Sequence, residues 1–337
     1  MGARAAQLVA NVVLVGSVAV ACGGAATPTA TGSPGSEPAP ASEPSGTLLW
    51  VHDGTETWPP ELWAVPIDGG EPAPVDLVPS RAIDRAWSPD LTRLAWLEEV
   101  RSGVPGARVV IGDPVGSSPV VVGELRHWND YRGHAWSDDG SRFAYAAYTD
   151  AGTSLRVVDA ATGTSREIRT WDLPAAVDVD WAPDGSRLVV AVGDGPAAGV
   201  STIAADGSDE RRLSELGAWR VRWSPTGSTI AFEATDGVGP LGIHVVGPDG
   251  AGERRLSPPG VVEMGPVWSP DGGWLAFASE RDAAPFDPDE LRDQPLVDEG
   301  IYVMRADGTD VRRLVAPVER GWAETLDWFA SWPPAAA

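Results

Sequence analysis

Short runs of apolar and β-branched residues, separated by tight turn signals, recur along the chain from about residue 47 onward. One segment joins a strand ending in Trp to an apolar run through a Ser-Pro-Asp-Gly turn, as in "VWSPDGGWLAFA" from Val267. A second joins a β-branched run to a short strand through an Asp-Gly turn, as in "IYVMRADGTDVRRLV" from Ile301. Runs bounded by Gly, Pro and Asp are typical of β-strands. The pattern predicts a repeat of four strands.

The Trp-bearing segment occurs five times, and its tryptophans are separated by 49, 45, 42 and 45 residues. These tryptophans are Trp87, Trp136, Trp181, Trp223 and Trp268. A period of about 40–45 residues is typical of one four-stranded propeller blade. In the turn, Pro sets one φ angle, Ser or Asp bonds backbone amides, and Gly tolerates positive φ. We therefore assign these residues to turning the chain rather than to catalysis.

The two ends of the repeat array complement each other. Three strands, in "TLLWVHDG" and "ELWAVPIDGGEPAPV", precede the first complete repeat, and "ETLDWFASW" supplies one strand after the last. Together they make one further blade, which closes the ring and leaves no exposed sheet edge between blades. The predicted fold is an all-β, six-bladed β-propeller of four-stranded blades over residues 47–332, in which the C-terminal strand completes the N-terminal blade.

The paired Trp-Ser-Pro-Asp-Gly and Asp-Gly motifs resemble those of the TolB-like propeller family. The resemblance covers about residues 47–332 and is specific for the architecture. It implies little about activity, because the family includes periplasmic scaffolds, propeller lids of peptidases and a few lyases. A role in a Tol system is therefore not carried over.

The N-terminal segment has the character of a secretion signal. A single charge, Arg4, precedes an uncharged, mostly apolar run from Leu8 to Ala21, which is too short to span a bilayer and suits a signal peptide. The run ends in "VAVAC", which resembles the lipobox of bacterial lipoproteins, with Cys22 as the lipidated residue. An ordinary secretory signal with an incidental Cys is the alternative.

The sequence then divides into further segments. Residues 1–21 form the predicted signal peptide, and residues 22–46 hold the lipidated Cys and a tether of small and polar residues that cannot build a core. The propeller follows, and residues 333–337 form a short tail. We expect the protein to be held at the extracytoplasmic side of the cell membrane by its lipid.

Composition narrows the range of partners. Lys+Arg total 25 against 48 Asp+Glu, which gives a net charge of −23, and every basic side chain is arginine. Such an acidic surface repels phosphate backbones and argues against nucleic acid as a partner. The single cysteine excludes disulfides within the chain. We expect a monomer without a cofactor.

The blade connections predict where a ligand binds. The Ser-Pro-Asp-Gly and Asp-Gly turns lie on one end of the propeller, here called the turn face. The longer and more variable connections lie on the opposite end, here called the variable face, where binding residues usually occur. Our candidates there are His52, Trp58, Arg126, His127, Trp128, Asn129, Asp130, Tyr131, Arg132 and His134. They suit a peptide or a sugar, but solvated loops with aromatic residues tucked beneath them are an open alternative.

Two groups of residues raise the question of a metal. Asp287, Asp289 and Glu290, in the acidic insertion between residues 279 and 300, offer the oxygen ligands that Ca²⁺ prefers, yet the segment lacks the Gly of an EF-hand loop. His52, His127 and His134 match no zinc spacing. We therefore expect a solvated acidic loop and no metal centre, with His244 packed inside a blade.

Charges on the inner strands form a further pattern. "DVDW" and "RVRW" stand at equivalent positions of consecutive blades, so period-two alternation places the charges of each on one side of its strand. We expect these Asp and Arg side chains to pair between blades near the axial channel, and unpaired aspartates elsewhere to attract cations. The channel candidates are Asp84, Asp178, Asp180, Arg220, Arg222 and Asp327.

Two functions are compatible with these observations. The first is a non-enzymatic, lipid-anchored binding or scaffolding protein for an envelope protein, peptide or glycan. The second is a secreted polysaccharide lyase or hydrolase, which requires the three loop histidines or a carboxylate pair to converge at the mouth of the channel.

Overall fold

The computed structural model describes residues 43–52, 61–67, 70–74, 82–100, 106–113, 118–127, 131–172, 175, 177–236, 241–282, 300–316 and 323–329. For some of these, His52, Asp84, Arg132 and residues 323–329 among them, only the backbone is described. The regular structure of this part consists of 24 strands in six four-stranded antiparallel sheets. The predicted six-bladed β-propeller is confirmed.

Blades 1 to 3 contain the first half of the strands. Blade 1 consists of β24 (Ala323–Phe329), β1 (Thr47–His52), β2 (Glu61–Pro66) and β3 (Ala73–Pro74). Blade 2 consists of β4 (Ala82–Trp87), β5 (Leu94–Val100), β6 (Gly106–Gly112) and β7 (Val120–Leu125). Blade 3 consists of β8 (Tyr131–Trp136), β9 (Arg142–Thr149), β10 (Gly152–Asp159) and β11 (Ser165–Trp171).

Blades 4 to 6 repeat the same order. Blade 4 consists of β12 (Val177–Trp181), β13 (Arg187–Val192), β14 (Gly199–Ala204) and β15 (Arg211–Ser214). Blade 5 consists of β16 (Ala218–Trp223), β17 (Ile230–Ala234), β18 (Gly242–Val246) and β19 (Arg254–Arg255). Blade 6 consists of β20 (Glu263–Trp268), β21 (Trp274–Ser279), β22 (Gly300–Arg305) and β23 (Arg312–Val315).

The ring closes through blade 1, which combines the two ends of the propeller. Strand β24 pairs antiparallel with β1, and the register sets Thr47 opposite Phe329 and Leu49 opposite Asp327. The last strand thus covers an edge of β1 that would otherwise be unpaired. This is the closure that the sequence predicts.

The Trp-bearing strands form the inner ring, because β4, β8, β12, β16, β20 and β24 contact one another in that order. In blades 3, 4 and 6, this Trp donates a hydrogen bond to the preceding blade. The indole N–H of Trp136 donates to the carbonyl of Ala86 at 2.9 Å, and that of Trp181 donates to Ala135 at 3.2 Å. Apolar clusters fill the described contacts between blades. The core therefore lies between sheets, and each of these clusters contains at least one indole.

The Ser-Pro-Asp-Gly segments are turns held by their own side chains. In blade 3, the hydroxyl of Ser137 donates to the carboxylate of Asp139 at 2.6 Å, which also accepts the amide of Ser141 at 3.0 Å. The amide of Arg142 donates back to the Ser137 hydroxyl, and Gly140 has a φ of +63°. The segments around Ser88 and Ser269 repeat this set of bonds. These side chains are engaged in folding the chain.

None of the described residues forms a helix long and apolar enough to cross a bilayer.

Candidate functional site

Two of the charged residues predicted for the channel, Asp178 and Arg222, form a buried ion pair between blades. Asp178 on β12 accepts Nη1 of Arg222 on β16 at 2.7 Å, together with the amide of Val221 at 3.0 Å. Both charged residues are nearly inaccessible, with 5% and 4% of their surface exposed. The pairing between blades 4 and 5 that the sequence predicts is therefore present, with Arg222 as the partner of Asp178.

The second arginine extends this network toward blade 6. The guanidinium of Arg220 lies 3.8 Å from the carboxylate of Glu233, its cross-strand neighbour on β17. The other oxygen of Glu233 accepts the amide of Gly265 on β20 at 2.7 Å. Burial raises the pKa of Glu233, and the charge of Arg220 opposes that shift. We call Asp178, Arg220, Arg222 and Glu233 the axial charge network.

Two further carboxylates lie at the turn-face end of the inner ring. Asp180 accepts the amides of Trp223 and Trp181 at 2.7 and 2.9 Å, and burial raises its pKa to about 7 despite the nearby Arg222. Burial and the adjacent Asp139 raise the pKa of Asp138 to about 6. The carboxylate of Asp138 also raises the pKa of Asp180. The two groups form an acidic pair across the contact between blades 3 and 4.

This pair makes stability depend on pH. The pKa of Asp138 in the fold is raised above its ordinary value of 3.8, so its contribution is complete below pH 4 and is lost as pH rises through about 6. We expect Asp138→Asn to raise the free energy of unfolding at pH 8 by about 1 kcal/mol, allowing for partial exposure. Urea unfolding at pH 5 and pH 8 measures the effect, and the gain should be larger at pH 8.

Asp184 in the next blade provides the matched control. The hydroxyl and amide of Ser186 hold the pKa of its carboxyl below the usual range, so Asp184→Asn should bring no gain at pH 8. The raised pKa of Asp138 would be contradicted if Asp138→Asn increased the free energy of unfolding equally at both pH values, or lowered it at pH 8.

The variable-face candidates divide into exposed and buried residues. Arg126 and His127 are exposed after β7, and the guanidinium of Arg126 pairs with Asp150 in the β9–β10 turn at 2.5 Å. Tyr131 and His134 instead belong to β8 and are 4% and 1% exposed. Their rings stack at 5.1 Å between centroids, inside the cluster shared by blades 2 and 3. Of this segment, Arg126 and His127 face solvent and the two aromatic residues pack.

The remaining candidates are described only in part or not at all. The side chains of His52, Asp84, Arg132 and Asp327 are outside the description, although their backbones are in strands. Outside the described residues altogether lie Cys22, Trp58, Trp128, Asn129, Asp130, Asp287, Asp289 and Glu290. Within the described part, no three or more His, Cys, Asp or Glu residues are placed to hold a metal ion. His244 is 3% exposed and stacks on Phe232, packed as expected.

A network of charges lies where the acidic insertion leaves blade 6. Asp282 accepts the hydroxyl of Tyr302 at 2.6 Å and Nη1 of Arg313 at 2.8 Å. Arg281 pairs with the fully buried Glu263 and lies over the Tyr302 ring. The start of the insertion is thus fixed to β20 and β22, and this part of the variable face presents both signs of charge.

The two faces differ in what their side chains leave available. On the turn face, the polar side chains of the Ser-Pro-Asp-Gly and Asp-Gly turns are largely bonded to their own turns. On the variable face, the exposed Arg126 after β7 pairs with the exposed Asp150 in the β9–β10 turn, and Asp282 after β21 pairs with Arg313 on β23. The second arrangement can exchange partners with a bound molecule, whereas the first is needed for the turns.

Sequence reasoning missed three acidic members of these networks. Glu233 and Glu263 were not singled out, although each interrupts an apolar run. Asp138 was also missed, yet it stands where the other four Trp-bearing segments have Pro. Departures from the repeat pattern were the available signal. The contacts between blades, which give these residues their partners, are not encoded in any one repeat.

Comparison with known proteins supports the architecture. No family model matches the sequence. The structure of TolB from Acinetobacter baumannii aligns with a TM-score of 0.65 at 17% identity, over 86% of this chain and 68% of that chain. A protein assigned as TolB from Agrobacterium tumefaciens aligns with a TM-score of 0.57 at 21% identity, over 85% and 94%. This chain folds as a TolB-like propeller.

The TolB-like propeller also resembles part of an enzyme. A puromycin hydrolase aligns with a TM-score of 0.54 at 16% identity, over 83% of this chain and 48% of that chain. The same fold therefore occurs in proteins of different activity, and the function of this TolB-like propeller must be argued from its own residues.

Proposed function

We propose that this chain is a lipid-anchored, extracytoplasmic binding or scaffolding protein that holds an envelope protein, peptide or glycan on its variable face without transforming it. The observation that carries the proposal is the contrast between the two faces. Polar side chains of the turn face are bonded into their turns, whereas Arg126, His127 and Asp150 are exposed on connections of different length. Variable connections on a rigid scaffold usually carry binding residues.

The N-terminal segments support the location. A signal-like apolar run, Cys22 after small residues and a tether without large apolar residues follow one another in the first 46 residues. The resemblance to TolB-like propellers, whose members include periplasmic scaffolds, supports a role in the envelope. An exposed acidic surface and a tether would keep the propeller in solution near the membrane.

Lipidation makes a direct prediction for Cys22. In a bacterial host, the full chain should incorporate an alkyne-labelled fatty acid and sediment with membranes, whereas Cys22→Ser should do neither, because the thiol is the acceptor. Gel fluorescence after click labelling measures incorporation. Ser33→Ala, in the tether and away from both the signal segment and the acceptor, is the control for expression. Equal labelling of the wild type and Cys22→Ser would refute the anchor.

The binding face is tested by capture from solubilised envelope with the full chain. We expect a component that the wild type retains to be lost from an Arg126→Ala/His127→Ala variant, because both side chains are exposed on the variable face. An Asp184→Asn/Asp206→Asn variant, altered in two exposed turn-face residues, should retain it. If only the turn-face variant fails to retain the component, binding occurs on the turn face and the proposal is wrong. Consumption of envelope glycan would favour an enzyme.

A further inference from the structure

A cavity of about 360 Å³ lies between blades 3 and 4. It reaches toward the variable face, because Trp171 and Val192 stand at the variable-face ends of β11 and β13. One wall belongs to blade 3 and the other to blade 4. The lining residues used below are Arg169, Trp171, Val190, Val192, Ser201 and Arg212.

One side of the cavity is apolar. Val190, Val192 and Trp171 are at most 8% exposed and belong to the core cluster between these blades. The guanidinium of Arg169 lies 5.3 Å from the centre of the Trp171 ring, which fixes both groups at the rim. This wall offers an indole and two branched side chains to the apolar part of a ligand.

The other side carries two guanidiniums, each of which is paired with a carboxylate. The Nε atom of Arg169 lies 3.1 Å from the carboxylate of Glu210, and its Nη1 donates to the carbonyl of Thr170 at 2.9 Å. The remaining nitrogen, Nη2, has no hydrogen-bond partner among the described residues. Arg212 donates to the carbonyls of Ala197 and Ala198 and pairs with Glu215 at 3.1 Å. Its Nε has no such partner there either. Two guanidiniums and one carboxylate line the cavity.

A third polar group, the hydroxyl of Ser201 on β14, lines the same cavity. Ser201 is 9% exposed and lies opposite Val190 and Arg212 in the sheet register, beside both walls of the site. A serine hydroxyl can donate a hydrogen bond to a bound oxygen. Its position among two arginines and an apolar wall suits an oxygen of a bound molecule.

We propose that this cavity binds a small carboxylate that carries an apolar body, with the carboxylate at Arg212, Arg169 and Ser201 and the body on Trp171 and the two valines. Guanidinium–carboxylate bonds are charge-assisted and directional, and a few placed polar groups beside an apolar wall fix the orientation of a small ligand. The ligand chemistry is shared by a free N-acylated amino acid and by the C-terminal residue of a peptide. This site goes beyond the proposed partner of the variable face.

The test is a titration of the purified full chain by isothermal calorimetry with two pairs of probes. N-acetyl-leucine is compared with N-acetyl-leucinamide, and acetyl-Ala-Ala-Leu with its C-terminal amide. We expect each acid to bind at least about tenfold more tightly than its amide, since only the acid forms the charged contacts. The acid that binds more tightly shows whether the ligand is a free N-acylated amino acid or the C-terminal residue of a peptide. Equal affinity of acid and amide, or no heat from any probe, would overturn the proposal.

Variants assign the binding to this cavity. Ser201→Ala and Arg169→Gln should each lower the affinity for the acid by about threefold to thirtyfold. The melting temperature of each variant should stay within the range of the control. Arg166→Gln is the matched control, because Arg166 lies on the same strand β11 and donates to Ala205 outside the cavity. Arg126→Ala should leave acid binding unchanged, which separates this site from the proposed binding face. Unchanged affinity in both cavity variants would contradict the assignment.

Discussion

Replacing Asp178 with Ala is expected to lower the free energy of unfolding by about 3–5 kcal/mol, because it leaves the buried guanidinium of Arg222 without its carboxylate. It also removes the acceptor of the Val221 amide in blade 5. Urea unfolding followed by tryptophan fluorescence measures the loss. The expected loss is large because water cannot reach the guanidinium of Arg222 while the blades stay packed.

Two controls separate the buried pair from ion pairs in general. Asp150→Ala removes the partner of Arg126, but both side chains are more than half exposed, so the cost should be below about 1 kcal/mol. A double change, Asp178→Leu with Arg222→Leu, should recover much of the loss, because no charge is then left buried. A cost for Asp178→Ala no larger than that for Asp150→Ala would show that the axial charge network contributes little.

Trp181→Ala is expected to cost about 3–5 kcal/mol, since it removes a fully buried indole from the contact between blades 3 and 4. The ring also donates to the carbonyl of Ala135 and carries the guanidinium of Arg142 at 4.5 Å. The loss is measured as a shift in the urea midpoint or the melting temperature at pH 7.

Trp181→Phe isolates the hydrogen bond from the packing. Phe keeps an aromatic ring in the same space but lacks the N–H, so the carbonyl of Ala135 loses its donor at a cost of about 1–2 kcal/mol. Equal losses in the free energy of unfolding for Trp181→Ala and Trp181→Phe would mean that packing of the indole contributes little. That result would contradict a core that lies between the blades.

The architecture could be predicted from the sequence because its signals are local. Trp136, Ser137, Asp139 and Gly140 are neighbours in the chain and supply both the turn and the side chain that packs on the preceding blade. The same letters recur at nearly constant spacing, so the ring closure followed from counting strands. Apart from that closure, which pairs β24 with β1, these features depend on residues near one another in the chain.

The partners of individual charges depend on how blades are staggered, which no single repeat encodes. The alternation of "RVRW" placed Arg220 and Arg222 on one side of β16, yet only the packed structure shows Arg222 at Asp178 and Arg220 beside Glu233. Burial of Tyr131 likewise differs from the sequence-based expectation, which places one loop from Arg126 to His134, because β8 begins at Tyr131.

The cavity between blades 3 and 4 was also beyond sequence reasoning. Its residues come from β11, β13, β14 and β15, from the loop at Ala197 and from Glu210 just ahead of β15. The strand residues among them follow an ordinary strand pattern. Only the gap left between two sheets brings Arg169, Ser201 and Arg212 to one place. Cavities of this kind reflect the fit of neighbouring blades rather than a motif.

The most direct test of the central claim is photo-crosslinking of the full chain in living bacteria. A photoreactive phenylalanine is placed singly at His127 or Asp150 on the variable face, and at Asp184 or Asp206 on the turn face, all four being exposed. The account predicts discrete adducts from the first two positions and none from the second two. Adducts confined to Asp184 and Asp206, or absent from all four positions, would contradict a binding role for the variable face.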